Sequence, residues 1–385
     1  MTCICNTNLV IDNFNTSALK SSGSEIVHLL THFHSDHRPG LDKGFRGRLL
    51  CSHPTADLVT GLLFVRQSFV EPLTLGHELT IRPPKALGLS SYSVTFIDAN
   101  HCPGAVSVII KGEGFAFYYM GDSRISSELI SDVKSVWPDP FDIVWVDSTF
   151  ADDHSLWDVM PTKERSISEL IRFMKSRSEG FALELDMLGT EPILEAVLEE
   201  FSKSRFLVST DDKYNELEIL FGHRKDLMSR LSLFQGQLHN PSVYRFVIVP
   251  RNLPTPDGFI RVRATTQRWA GHVRKEVECP ILEFDETSRM CFLFYSIHSS
   301  RKEIDEFTLR VGARSVFKLF KPIEVRKESK AQLAPEKSRR ERHVRRPFQF
   351  SCDSMWLDSL VDSQETVRPP MSEVTDVCLP TWGPS

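Results

Sequence analysis

The chain has 385 residues, with 46 Lys or Arg against 51 Asp or Glu and a net charge of −5. It contains no apolar run long enough to cross a bilayer and no basic N-terminal region followed by a hydrophobic one, so it reads as neither secreted nor membrane-embedded. Eight cysteines are scattered without a CxxC pair, which favours reduced thiols over a disulfide framework, and Cys3 and Cys5 read as ordinary thiols. The length exceeds one typical core, so two domains and a tail are expected, and no internal repeat is visible.

Leu9-Val10-Ile11 and Ile26-Val27-His28-Leu29-Leu30 are short β-rich runs. Asp12 follows the first and, taken alone, reads as a turn residue or as an outer partner of a histidine. The second leads into Thr31-His32-Phe33-His34-Ser35-Asp36-His37. A strand-to-turn exit there puts His32 and His34 on one side and Asp36 and His37 toward a second position. Imidazole and carboxylate are the donors a borderline-soft divalent ion prefers, so the run suggests two metals. His28, His53 and His223 lack such a context and read as ordinary histidines.

A helix is predicted near Pro54 to Gln67, with proline at its start. The alternation of Tyr92 to Ile97 leads to Asp98-Ala99-Asn100-His101-Cys102-Pro103-Gly104, where His101 completes a three-histidine shell with His32 and His34. An aromatic-rich strand over Phe115 to Met120 ends in Gly121-Asp122-Ser123-Arg124. The glycine permits a sharp turn from which Asp122 can bridge both metals. Ile143 to Val146 reads as a buried strand ending at Asp147.

From Pro161 the period changes. Ile167, Leu170, Ile171 and Met174 have i, i+3, i+4, i+7 spacing, as do apolar positions of Ile193 to Phe201, with strands at Phe181 to Leu185 and Phe246 to Val249 between them. This stretch reads as an inserted α/β domain. Cys291 to Tyr295 then leads to Ser296-Ile297-His298-Ser299-Ser300, where His298 finishes the second shell with Asp36 and His37. Ser300 and Glu303 form a capping box for a helix with Ile304, Phe307 and Val311 inward and Gly312 at its end.

The segment Arg326 to Arg346 has nine Lys or Arg against three Glu, which leaves a net charge of −11 on the rest of the chain. The body is therefore acidic, and contacts with a polyanion would rest on local basic strips and on the tail. The tail lacks a sustained apolar period and is expected to be disordered. Within it, Lys337 to Arg346 reads as a nuclear-import or phosphate-contacting stretch or a plain solvated charge run, and Met355-Trp356-Leu357 as a partner-docking segment or a chance cluster.

The histidine run, Asn100-His101-Cys102-Pro103-Gly104, Gly121-Asp122-Ser123-Arg124, Val146-Asp147-Ser148-Thr149-Phe150 and Tyr295-Ser296-Ile297-His298-Ser299-Ser300 together resemble the metallo-β-lactamase-fold nucleases that carry a β-CASP domain. The histidine run alone would indicate only a superfamily that includes thioester, lactam and RNA hydrolases. The second and last segments point to the DNA-repair, Artemis/Apollo-like branch, nearer Artemis. The resemblance covers residues 12 to about 320. It implies an αββα sandwich starting over 1–150, a β-CASP α/β domain over 151–287, a return segment over 288–325 and a disordered basic/acidic tail over 326–385.

For the site it implies one or two divalent ions, zinc first with manganese or magnesium as alternatives, held by His32, His34, Asp36, His37, His101, Asp122 and His298. Asp36, His37, Asp122 and Asp147 form the implied catalytic set. Asp12 and Asp147 would hold ligand histidines by their second ring nitrogens, and Ser299 and Ser300 would contact substrate phosphate. DNA is the implied partner, in the nucleus, with repair proteins reached through the tail.

Two positions depart from the family. A histidine thought to act as general acid lies in the strand ending here at Val249-Pro250, where the position is read as Phe246, with His239 the nearest substitute. The Tyr-Ser-x-Gly-Lys-Glu segment of the exonucleases corresponds to Asp186-Met187-Leu188-Gly189-Thr190-Glu191, and Thr190 offers no charge to a terminal 5′-phosphate. The expected activity is endonucleolytic, at hairpins, overhangs or junctions as in double-strand break end-joining. The alternatives are a 5′-exonuclease of interstrand-crosslink repair or telomere end processing, and a catalytically weak scaffold member.

Overall fold

The computed structural model describes residues 2–4, 7–15, 26–150, 160–233, 244–269 and 280–319. The tail and His239 lie outside them. The first sheet consists of β1 (Thr2–Cys3), β2 (Leu9–Ile11), β3 (Val27–Leu29), β4 (Arg48–Ser52) and β5 (Val70–Leu73) in that spatial order, parallel after the first pair. Helix α1 (His53–Leu62) follows β4; the Ser52 side chain caps it by accepting from Thr55 N, and Pro54 lies in its first turn. It stops five residues short of the predicted Gln67 because Phe64 takes a left-handed φ of 55°, which a helix cannot continue.

The second sheet is assembled from β6 (Glu78–Ile81), β7 (Tyr92–Asp98), β8 (Val106–Gly112), β9 (Phe115–Tyr119) and, after helix α2 (Ser127–Val136), β10 (Ile143–Val146). The two sheets bury Leu9, Ile11, Leu29 and Leu50 against Val94, Phe96, Val108 and Ile110. The outer face of the first sheet packs Leu49 and Cys51 on Leu58 and Val59 of α1.

A third, seven-stranded layer follows. Along the chain it reads α3 (Lys163–Lys175), β11 (Gly180–Glu184), α4 (Glu191–Glu200), β12 (Phe206–Val208), α5 (Asp211–Phe221), α6 (Lys225–Met228), β13 (Leu231–Leu233), β14 (Phe246–Val249), β15 (Phe259–Thr265), β16 (Leu282–Asp285) and β17 (Met290–Phe294). The spatial order is β13-β12-β14-β11-β15-β17-β16, parallel except for the last pair. The helices contribute Leu170, Leu194, Val197 and Leu217 to a core against Phe181, Leu183, Phe206 and Ile248. The alternating βα pattern gives a parallel sheet because each helix carries the chain back over the same face.

Strand β17, assigned from sequence to the return segment beginning at 288, pairs with β15 and β16 inside this layer. The chain crosses back only after Phe294. Helix α7 (Arg301–Val311) then joins α2 on the outer face of the second sheet, where Ile304 and Phe307 meet Leu129 and Val133. Its capping box between Ser300 and Glu303 is formed, and Gly312 closes it at φ 70°. Strand β18 (Ser315–Lys318) adds to β10 in parallel. Helix, sheet, sheet, helix is the layering of a metallo-β-lactamase sandwich, and the seven-stranded layer is inserted between its strands β10 and β18. No helix among the described residues is long and apolar enough to cross a membrane.

Phe246 is corrected by this packing. It opens β14 level with Phe181, fully buried on the helix-covered face, and its ring stacks on Phe206 at 4.6 Å and 9°. A side chain there belongs to the core at the end of the strand away from Leu188, not to the site.

Candidate metal centre

Every residue of the site follows the C-terminal end of a strand, from β2 and β3 in the first sheet, β7, β9 and β10 in the second and β17 in the third. Asp12 follows β2 at φ 54°, a left-handed conformation that aspartate tolerates. Its Oδ1 accepts from Thr31 N at 2.8 Å, and its Oδ2 accepts from Thr31 Oγ1 at 2.7 Å and meets His37 Nδ1 at 2.8 Å. Thr31 Oγ1 also lies 3.0 Å from His32 Nδ1. One carboxylate thus orders the start of the histidine run and its last ring.

Three imidazoles converge. His32 Nε2 lies 2.9 Å and His101 Nε2 3.1 Å from His34 Nδ1. Their opposite nitrogens are held by backbone or hydroxyl groups: His34 Nε2 by Leu188 O at 3.0 Å, His101 Nδ1 by Ile297 O at 2.9 Å. Ligand nitrogens around a tetrahedral ion at about 2.0–2.1 Å stand roughly 3.3 Å apart, and the two spacings from His34 Nδ1 are a little shorter than that, within reach of one shared ion. Burial, reinforced by neighbouring imidazoles, holds His32 well below its ordinary pKa; burial leads for His101 too, and it brings His34 down to about 4. At neutral pH all three rings carry free lone pairs, as metal ligands must.

Asp122 turns in behind Gly121, whose φ is 62°. Its oxygens lie 3.4 Å from His37 Nε2 and 3.9 Å from both His101 Nε2 and His298 Nδ1. Burial opposes its charge, yet His298, His37 and His101 hold the carboxyl well below its usual range. For His37 burial again opposes charging, but Asp12 and Asp122 outweigh it and raise the ring to about 11. Donor atoms of His32, His34, His101 and Asp122 fall within 4.8 Å of one another, and those of Asp122, Asp147 and His298 do likewise.

The second position is less tightly drawn. Asp36, 56 % exposed, reaches within 3.9 Å of His37 Nε2. His298 Nδ1 is taken by Asp147 Oδ2 at 2.7 Å, which leaves Nε2 as its ligand nitrogen. Asp147 is fully buried, and its Oδ1 accepts from Thr149 N. It therefore orients a histidine and has no path to substrate.

Ser299 and Ser300 do not occupy the expected place. The Ser299 hydroxyl donates to Ser123 O and accepts from Ile125 N, and Ser300 caps α7; both are buried. Their polar atoms are committed to holding the return segment, so neither meets a substrate phosphate. Thr31, and the carbonyls of Leu188 and Ile297, are contributors that sequence reasoning missed. Thr31 heads the quoted motif, but a backbone carbonyl has no side-chain signal. His28, as expected, is an ordinary histidine, stacked on Phe14 at 5.4 Å.

Residues 21–174 match the family described as Beta-lactamase superfamily domain. The chain is 28 % identical over 185 residues to the 5′ exonuclease Apollo of Mus musculus, covering 48 % of this chain and 34 % of that one. It is 32 % identical over 151 residues to the DNA cross-link repair protein SNM1 of Arabidopsis thaliana, covering 39 % and 29 %. With the DNA cross-link repair 1A protein of Homo sapiens it shares 35 % over 113 residues, covering 28 % and 10 %. The chain thus spans about a third or less of these relatives. A solved protein of unknown function from Enterococcus faecalis V583 matches 77 % of the chain and 75 % of its own at TM-score 0.52 and 14 % identity, a likeness of fold alone. The layered architecture and the strand-end histidines thus coincide with a beta-lactamase superfamily domain over residues 21–174, and the chain is similar over part of its length to relatives named for DNA cross-link repair and for 5′ exonuclease activity.

Proposed function

We propose that the protein is a divalent-metal-dependent nuclease that hydrolyses phosphodiester bonds of DNA during repair in the nucleus, with zinc as the metal. The observation that carries this reading is the convergence of His32, His34 and His101 on one point with Asp122 beside it. His32, His34 and His101 would hold one ion, Asp36, His37 and His298 a second, with Asp122 between them. Metal bound there supplies a Lewis acid for the phosphodiester and lowers the pKa of water. The chain's own part is orientation: Asp12 fixes the His37 ring, Asp147 fixes His298, and the Leu188 and Ile297 carbonyls fix His34 and His101.

For the mode of cutting we favour the endonucleolytic reading, at hairpins, overhangs or junctions. Thr190 Oγ1 is turned onto Met187 O at 2.9 Å, and Met187 is exposed. Lys213, which approaches the same loop, is paired with Glu216 at 2.5 Å and lies 3.8 Å from Glu191. This loop presents no free cation to a terminal phosphate, and a hydroxyl is a weaker anchor than an ammonium. Similarity to a protein named as a 5′ exonuclease supports the second reading. Cleavage of labelled hairpin, overhang and 5′-phosphorylated single-stranded DNA separates them. Internal cuts indifferent to the 5′-phosphate are expected; stepwise release of mononucleotides, slowed manyfold on dephosphorylation, would reverse the assignment. No cleavage of any of these by metal-loaded protein would sink the nuclease reading.

A further inference from the structure

Lys163 stands where a lysine is least expected. It opens α3 at the first helical position, where the partial positive charge of a helix N-terminus disfavours a cation. It is also buried, 9 % exposed, and burial, with Arg124 nearby, brings its ammonium down to about 8. A residue that breaks two local rules at once marks a place where something else is gained.

What it gains is Asn100. Lys163 Nζ donates to the Asn100 carbonyl at 2.5 Å and to its Oδ1 at 3.0 Å. Asn100 has φ 49°, the one left-handed non-glycine residue in the loop that carries His101. Its N–H donates to Asp98 Oδ1 at 2.6 Å and its Nδ2 to Arg124 O at 3.1 Å. Of these four bonds, the two from Lys163 alone come from the insert. The neighbouring His101 ring is fixed at Nδ1 by Ile297 O, so both ends of that residue are braced from beyond the first 150 residues. We propose that Lys163 is a positioning residue of the metal centre, holding Asn100 in its left-handed conformation so that His101 projects toward His32 and His34. The inference rests on the metal-site reading above.

The test uses the full chain with zinc and, as a spectroscopic probe, cobalt. Lys163→Met keeps length and removes the donors; Lys163→Gln keeps an amide donor on a shorter arm. Chelator competition should show zinc affinity falling by roughly 10- to 100-fold in Lys163→Met, as when partners of metal ligands are removed. Lys163→Gln should fall between it and the wild type, and the visible band of the cobalt form should change in the same order. The thermal midpoint of the metal-free protein should change little in both, because relief of a buried ammonium offsets the hydrogen bonds lost at Asn100. If Lys163→Met does not fold, weaker zinc binding by Lys163→Gln at an unchanged metal-free midpoint supports the proposal. Wild-type affinity in the variants, or an affinity loss that merely tracks lost metal-free stability, overturns it. A wild-type chain that binds no zinc overturns both this inference and the metal-site reading.

Discussion

Asp12→Asn exchanges one oxygen of a three-bonded carboxylate for an NH2 group. Asparagine accepts the φ of 54° as readily as aspartate, so the backbone is held constant, as it would not be with alanine. If the amide oxygen faces Thr31 N, the NH2 group confronts the His37 Nδ1 proton and the Thr31 hydroxyl; if it is flipped, it confronts the Thr31 amide. One donor opposes another in either pose. Hydrogen bonds to charged groups contribute about 1.5–3 kcal/mol each. His37 also loses the carboxylate chiefly responsible for lifting it to about 11, leaving Asp122 alone to oppose burial. With its tautomer free, His37 should bind metal roughly 10- to 100-fold more weakly. Zinc titration against a chromophoric chelator, with circular dichroism to verify the fold, measures this. A folded variant with wild-type affinity and turnover would refute the claim that Asp12 sets the His37 ring.

Asp122→Asn, with little change in volume, should abolish DNA cleavage and leave at most one metal per chain by elemental analysis; undiminished turnover would dismiss the shared-carboxylate arrangement. Phe246→Ala should cost about 3–5 kcal/mol in denaturant unfolding, while cleavage per folded molecule stays unchanged, since the ring lies in the core of the insert. Metal must displace the proton that Asp12 and Asp122 stabilise on His37, so affinity at the second position should rise with pH. Calorimetric titrations in buffers of different ionisation enthalpy should show about one proton released there at pH 7. The same raised value means that His37 stabilises the metal-free fold fully below its unfolded pKa of 6.5. That contribution should be lost as pH climbs through about 11, visible as a falling thermal midpoint at alkaline pH.

The candidate ligand side chains were legible because imidazole and carboxylate are distinctive residue types and because each follows a β-patterned run. Helices α3, α4 and α7 were legible from their periodicity, and α7 also from its cap. What failed was direction. Counting along the strand could place a ring at 246 but not tell which face of β14 it would occupy, and that face is decided by Phe206 and Phe181 across the sheet. Ser299 and Ser300 sit beside a ligand in sequence, yet their hydroxyls turn toward Ser123 and Glu303. The carbonyls of Leu188 and Ile297 were invisible because every residue has one, and only the fold selects which are aimed. Strand β17 was misassigned because a buried strand reads alike in either sheet.

The placement of the ligands along the chain also orders their arrival during synthesis. His32, His34, His101 and Asp122 all precede the insert, and the strands that present them pair among themselves. His298, with the carbonyls that brace His34 and His101, is made only after the insert begins or has been completed. On the metal-site reading, the three imidazoles and Asp122 would therefore be in place on a nascent chain before the carbonyls that orient the His34 and His101 rings, which the later half of the polypeptide supplies.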